Sequence, residues 1–134
     1  MSQPKEYPGR EITVTFASRR CLHAAECVRG LPQVFDLERR PWISPDDAPA
    51  DLVAEIVRRC PSGALRYWYA DGATETPDRP TSVASTPSGQ LVLRGDLAIW
   101  SAGVEHHETR VTLCGCGASG NRPYCDQSGP CAEQ

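Results

Sequence analysis

The chain has 134 residues, 40% of them apolar, and a formal net charge of −3. That length holds one ordinary domain or two very small ones. No Lys/Arg stripe with interleaved aromatics appears and no apolar run approaches a bilayer span, so neither nucleic acid nor a membrane is an expected partner.

In chain order, Glu11 to Phe16 alternates apolar residues (Ile12, Val14, Phe16) and is predicted as a half-buried strand. Cys21 to Arg29 is predicted as a short helical stretch that Gly30 ends by taking positive φ. Val34 and Phe35 are expected in the core, and Arg40 to Ile43 as a short strand. Asp46 and Asp47 offer a helix cap, and Pro49 suits a first turn. Leu52, Val53, Ile56 and Val57 then form one apolar stripe, with Arg58 and Arg59 at the favourable C-terminal end and Pro61 as the stop. Ala64 to Tyr69 reads as an aromatic strand, and the order so far fits a compact α+β unit.

Asp71 to Gly89 is dominated by Gly, Pro, Ser, Thr and charged residues and reads as a linker or long loop. Two strands are predicted after it, Gln90 to Arg94 and Leu97 to Trp100, with Gly95-Asp96 turning the chain between them. Arg110 to Leu113 is a third strand and runs into the last cysteines. Charge is uneven: ten Lys or Arg stand against nine Asp or Glu through Ala70, and four against eight beyond it.

Seven cysteines are the dominant signal. Very small domains bury too little surface to be comfortable alone and rely on staples. Met1 to Arg10 is polar, without the apolar stretch of a secretory signal, so the chain is expected in a reducing cytoplasm where structural disulfides are uncommon. The odd count also argues against a closed disulfide set. Metal or catalysis remains as the use of the thiols. A catalytic cysteine needs a base and a positioned third group, and neither is legible, so the chain is not read as an enzyme.

Cys21, Cys27 and Cys60 are spaced as Cys-x5-Cys, a long gap, then Cys-Pro. An iron–sulfur cluster needs several thiolates converging on a small volume, and the bacterial ferredoxin run also ends in Cys-Pro. Arg20 to Val28, Val34-Phe35-Asp36 and Cys60 to Leu65 resemble the divergent single-cluster ferredoxins, a likeness covering roughly Glu11 to Tyr69. In that family the position three after the first cysteine is a ligand position; here it is Ala24, which cannot bind iron. Three cysteines suit a [3Fe–4S] cluster, whereas a [4Fe–4S] cluster needs a fourth ligand or an exposed iron. His23, one residue from the expected place, is the candidate extra ligand, against the commoner role of a surface histidine. The bland alternative for the trio is a zinc site. Arg19, Arg20, Arg29, Arg58 and Arg59 read as a solvated face, or else as charges that offset the cluster and dock an acidic partner.

Leu113-Cys114-Gly115-Cys116-Gly117-Ala118-Ser119 and Arg122-Pro123-Tyr124-Cys125-Asp126 resemble the CDGSH iron–sulfur family, with a likeness from roughly Asp78 to Gly129. That resemblance implies a [2Fe–2S] cluster on three cysteines and one histidine, usually in a dimer. Cys114, Cys116 and Cys125 match, but Gln127 replaces the family glycine and Gly129 its ligand histidine. Cys131 is the candidate replacement. His106 and His107 precede an extended segment that carries them away from Cys114. Asp126 is read as a helix cap rather than a ligand. A zinc knuckle of four thiolates is the alternative here.

The expected fold is therefore α+β, a ferredoxin-like unit over 1–70, a linker or long loop over 71–89 and a small β-rich CDGSH-type module over 90–134. The expected function is one-electron transfer between a reductase and an oxidase or monooxygenase, with a homodimer through the second module. Two rival readings stand beside it: a redox or iron sensor or cluster-transfer protein, and a zinc-stapled interaction module.

Overall fold

The computed structural model describes residues 4–22, 25–87, 89–115 and 119–125. The chain divides into two compact units. One is Met1–Ser18, His23–Cys60 and Ala64–Glu75; the other is Arg19–Leu22, Pro61–Gly63 and Thr76–Gln134.

The first unit is built on an antiparallel sheet in the order β1 (Lys5–Tyr7), β2 (Ile12–Phe16) and β3 (Leu65–Tyr69). Val14 stands opposite Tyr67 and Phe16 opposite Leu65, so the buried sides of β2 and β3 coincide. β1 carries no apolar alternation and was not expected; it forms by pairing with β2 from Lys5↔Phe16 to Tyr7↔Val14. Two helices accompany the sheet, α1 (Glu26–Gly30) and α2 (Ala50–Arg58). Val53, Ala54, Ile56 and Val57 of α2 are buried with Leu31, Val34, Phe35 and Ile43. Each large apolar side chain buried this way contributes roughly 1.5–3 kcal/mol. Trp42 lies edge-on to Phe16 at 5.0 Å between ring centroids and to Tyr7 at 6.4 Å.

Several local expectations are corrected here. The helix over Cys21–Arg29 shrinks to Glu26–Gly30, preceded by a 3-10 turn at Ser18–Arg20. Gly30 does not take a positive φ. Its lack of a side chain serves packing instead, because a Cβ there would stand 2.7 Å from Ile56 Cδ1. Arg40–Ile43 is no strand; only Phe35 and Ile43 bridge. Asp46 and Asp47 sit in a 3-10 turn, where Asp46 Oδ1 accepts the Arg10 N–H at 2.8 Å, and Pro49 takes the N-cap of α2. Leu52 is exposed, and Ala54 occupies the buried stripe in its place.

The second unit holds an antiparallel sheet in the order β4 (Ser82–Ser85), β5 (Leu91–Ser101) and β6 (Val104–Leu113). The stretch expected as a loop over 71–89 therefore contains a strand, fully exposed and recruited by β5. The two strands expected on either side of Gly95-Asp96 are one strand with a bulge between Arg94 and Leu97. Gly95 has φ +153, and a Cβ on it would overlap Thr81. The chain turns instead at Ala102-Gly103, both with positive φ, which matches the right-handed twist of a two-residue hairpin.

Candidate metal centre

Cys27 lies inside α1, and its carbonyl accepts the N–H of Leu31 at 3.1 Å. Just before it, Ala25 holds φ +64, a left-handed conformation uncommon for a residue with a side chain. Cys60 follows the end of α2, where its N–H reaches the Val57 carbonyl at 3.0 Å. Both cysteines are half-buried and pack against the core of the first unit. Cys21, also half-buried, falls in the second unit. His23 and Ala24 lie outside the described residues.

In the second unit the segments before Cys114 and Cys125 run side by side. Leu113 bridges Tyr124, the Cys114 N–H reaches the Pro123 carbonyl at 2.9 Å and the Cys125 N–H reaches the Thr112 carbonyl at 2.9 Å. Ser119 shapes the loop between them: its hydroxyl donates to the Tyr124 carbonyl at 2.6 Å and accepts from the Asn121 N–H at 3.0 Å. Cys125 is buried, and its Sγ accepts a hydrogen bond from Gln90 Nε2 at 3.0 Å. Thr86 places Gln90, because its hydroxyl accepts the Gln90 N–H at 3.1 Å and its own N–H reaches the Gln90 carbonyl at 2.9 Å. Gly115 is packed so close to the Gly89 carbonyl that a Cβ would overlap it. Cys116, Asp126, Gln127, Gly129 and Cys131 lie outside the described residues. His107 pairs with Glu105 at 2.7 Å on β6, and at about 3.4 Å per residue the strand carries it well away from Cys114.

Among the described residues, no three side chains of His, Cys, Asp or Glu stand at the spacing a single metal ion requires. The surroundings of Cys125 nonetheless fit an iron–sulfur cluster. A thiol shielded from water and an N–H donor on its sulfur are what an anionic cluster of irons and sulfides needs.

The contacts of three contributors were not legible in the sequence. Gln90 sat in a predicted strand, and only the fold brings its amide to Cys125. Arg20, read as part of a solvated face or as a charge that offsets the first cluster, pairs with Glu108 with both side chains nearly excluded from water. Tyr124 carries the Arg20 guanidinium on its ring. Its place between Pro123 and Cys125 was the available signal. Arg29 and Arg59 do stand on the surface, with Glu26 and Glu55 beside them.

The family model described as Divergent 4Fe-4S mono-cluster matches residues 7–70, and the model described as Iron-binding zinc finger CDGSH type matches residues 88–128. Over 61 residues the chain is 44% identical to "Uncharacterized protein YjdI" of Escherichia coli strain K12, a stretch covering 46% of this chain and 80% of the relative. The protein of that name in Escherichia coli O157:H7 matches to the same extent, 44% over 61 residues. No solved structure matches. No helix among the described residues is long and apolar enough to cross a membrane.

Proposed function

Because the chain belongs to the divergent 4Fe–4S mono-cluster family through residues 7–70 and continues into a CDGSH-type iron-binding domain over 88–128, we propose that it carries single electrons between redox partners. The observation behind this reading is the presence of two iron–sulfur domains in one chain of 134 residues. When bound, such clusters take up and release one electron at a time without breaking bonds in a substrate.

Cys21, Cys27 and Cys60 hold the first cluster, of the [3Fe–4S] or [4Fe–4S] type, with His23 as the candidate extra ligand. Cys114, Cys116 and Cys125 hold the second, of the [2Fe–2S] type, with Cys131 in place of the family histidine. The apolar core beneath Cys27 and Cys60 keeps water from one side of those thiolates, and the Gln90 amide supports the sulfur of Cys125. The first unit is read as a ferredoxin-like α+β fold. The partners are a reductase and an oxidase or monooxygenase in the cytoplasm, and two copies pair through the second module. The chain itself is a carrier, not an enzyme.

Purification without oxygen tests this. The expected product is brown, contains iron and acid-labile sulfide for two clusters per chain, and is reduced reversibly in one-electron steps. A colourless zinc protein would replace the proposal with a stapled interaction module. Clusters that pass to an apo-acceptor faster than they exchange electrons would replace it with a transfer protein.

A further inference from the structure

Arg20 precedes Cys21 in sequence, yet its side chain lies on the ring of Tyr124, the residue before Cys125. Its Nη1 donates to Glu108 Oε1 at 3.0 Å, with side chains only 12% and 6% exposed. Its Nη2 donates to the carbonyls of Ser62 at 2.7 Å and Arg110 at 3.4 Å. The guanidinium carbon stands 4.2 Å from the centre of the Tyr124 ring, and Tyr124 is peptide-bonded to Cys125. Gly63 makes room for this arrangement. It has φ +75, and a Cβ there would overlap the Arg110 carbonyl and lie 2.6 Å from Nη2.

A buried ion pair is a poor way to stabilise a small unit, because desolvating both charges cancels much of their attraction. It is an effective way to fix a charge in place, and arginine keeps its charge at every physiological pH. The Nε of Arg20 is also buried and has no hydrogen-bond partner among the described residues. The second site has lost the family histidine, and a thiolate in its place makes the site more negative. A fixed guanidinium on the ring of Tyr124, the sequence neighbour of Cys125, answers that extra charge.

We propose that Arg20, held by Glu108 and stacked on Tyr124, is a positioning residue for the second cluster that sets the charge of its surroundings. The CDGSH-type site is thus completed by a residue lying inside the first family's motif. Glu108 aims the guanidinium and at the same time moderates its positive field.

The proposal rests on the two-cluster reading, and its test separates the two. The full chain is purified without oxygen as the wild type and as Arg20→Met, Glu108→Gln and Arg66→Ala, and the potential of each cluster is followed by redox titration with EPR detection. In Arg20→Met the second cluster's potential falls, because a cation is removed and the Glu108 anion stays. In Glu108→Gln it rises, because the cation is left without its counter-charge. The exposed Arg66 is the control, and its variant leaves the potential unchanged. Loosened structure alone would move both pair variants in the same direction. Loss of the second cluster to a chelator is several-fold faster in Arg20→Met, and Arg20→Lys restores the potential more fully than the lifetime. An unchanged second-cluster potential, shifts of the same sign, or a shift confined to the first cluster would each overturn the proposal. Should Arg20→Met fail to fold, the upward shift in Glu108→Gln still decides the matter. A chain with no cluster defeats the electron-carrier reading itself; two clusters indifferent to the pair defeat only this proposal.

Discussion

The side-chain amide of Gln90 donates to the sulfur of Cys125 at 3.0 Å across a sequence separation of 35 residues. A donor on a ligand sulfur favours the reduced, more negative state, so it raises a cluster's potential. Gln90→Leu removes the donor without adding charge, and the second cluster's potential is expected to fall. A hydrogen bond worth about 0.5–1.5 kcal/mol corresponds to a shift on the order of tens of mV for one electron. Redox titration of the variant checks this; an unmoved potential would show that the contact has no electronic consequence.

Replacement of Cys21, Cys27 or Cys60 by serine is expected to remove the first cluster. Cys27 and Cys60 also pack on the core of the first unit, so their variants lose stability together with iron. Iron per chain and thermal unfolding report the two effects separately. His23→Ala should keep the cluster if that histidine is a surface residue, and lose one iron if it is the fourth ligand.

Cys131→Ala is expected to abolish the second cluster while leaving the first. With four thiolates and no histidine ligand, the second cluster's potential should lie lower than that of a histidine-ligated one and change little between mildly acidic and neutral pH. Gly129→His in the Cys131→Ala background is the matching restoration. Survival of the cluster in Cys131→Ala would place the fourth ligand elsewhere.

Tyr69 gives a pH prediction in the first unit. Its hydroxyl donates to Asp51 Oδ1 at 2.8 Å; this bond, partial burial and the carboxylate charge push the phenol up from 10.0 to about 12. Tyr67 adds to the rise and Arg58 opposes it. Since the folded value is the higher one, the contribution to stability is complete below about pH 10 and is lost as pH rises through about 12. In Asp51→Asn the phenol should return toward its ordinary range, seen as earlier phenolate absorbance in an alkaline titration. An identical titration in both proteins would count against the contact.

The strands at Ile12–Phe16 and Leu65–Tyr69 were legible because a half-buried strand writes its two faces into alternate residues. β4 was not, because Ser82–Ser85 is exposed on both faces and its conformation comes from pairing with β5. Gly95-Asp96 reads from sequence as a turn, and the structure has a bulge there. A glycine marks a turn or a bulge equally well, and the partner strand β6 decides between them. The Cys-x5-Cys and Cys-x-Cys motifs were visible because short spacings along the chain write them. Arg20 and Glu108, 88 residues apart, left no such trace, since neither residue type nor neighbourhood distinguishes a buried pair from two surface charges.

The second unit is assembled from Arg19–Leu22, Pro61–Gly63 and everything from Thr76 onward, which sets an order on its formation. Arg20 leaves the ribosome 88 residues before Glu108, on the order of ten seconds at ordinary elongation rates. Its other partner Ser62 stands 42 residues later in the chain. Contacts of such long separation close slowly, because the entropy of the intervening loop is lost before they form. The surroundings of Arg20 are therefore complete only once β6 has been made.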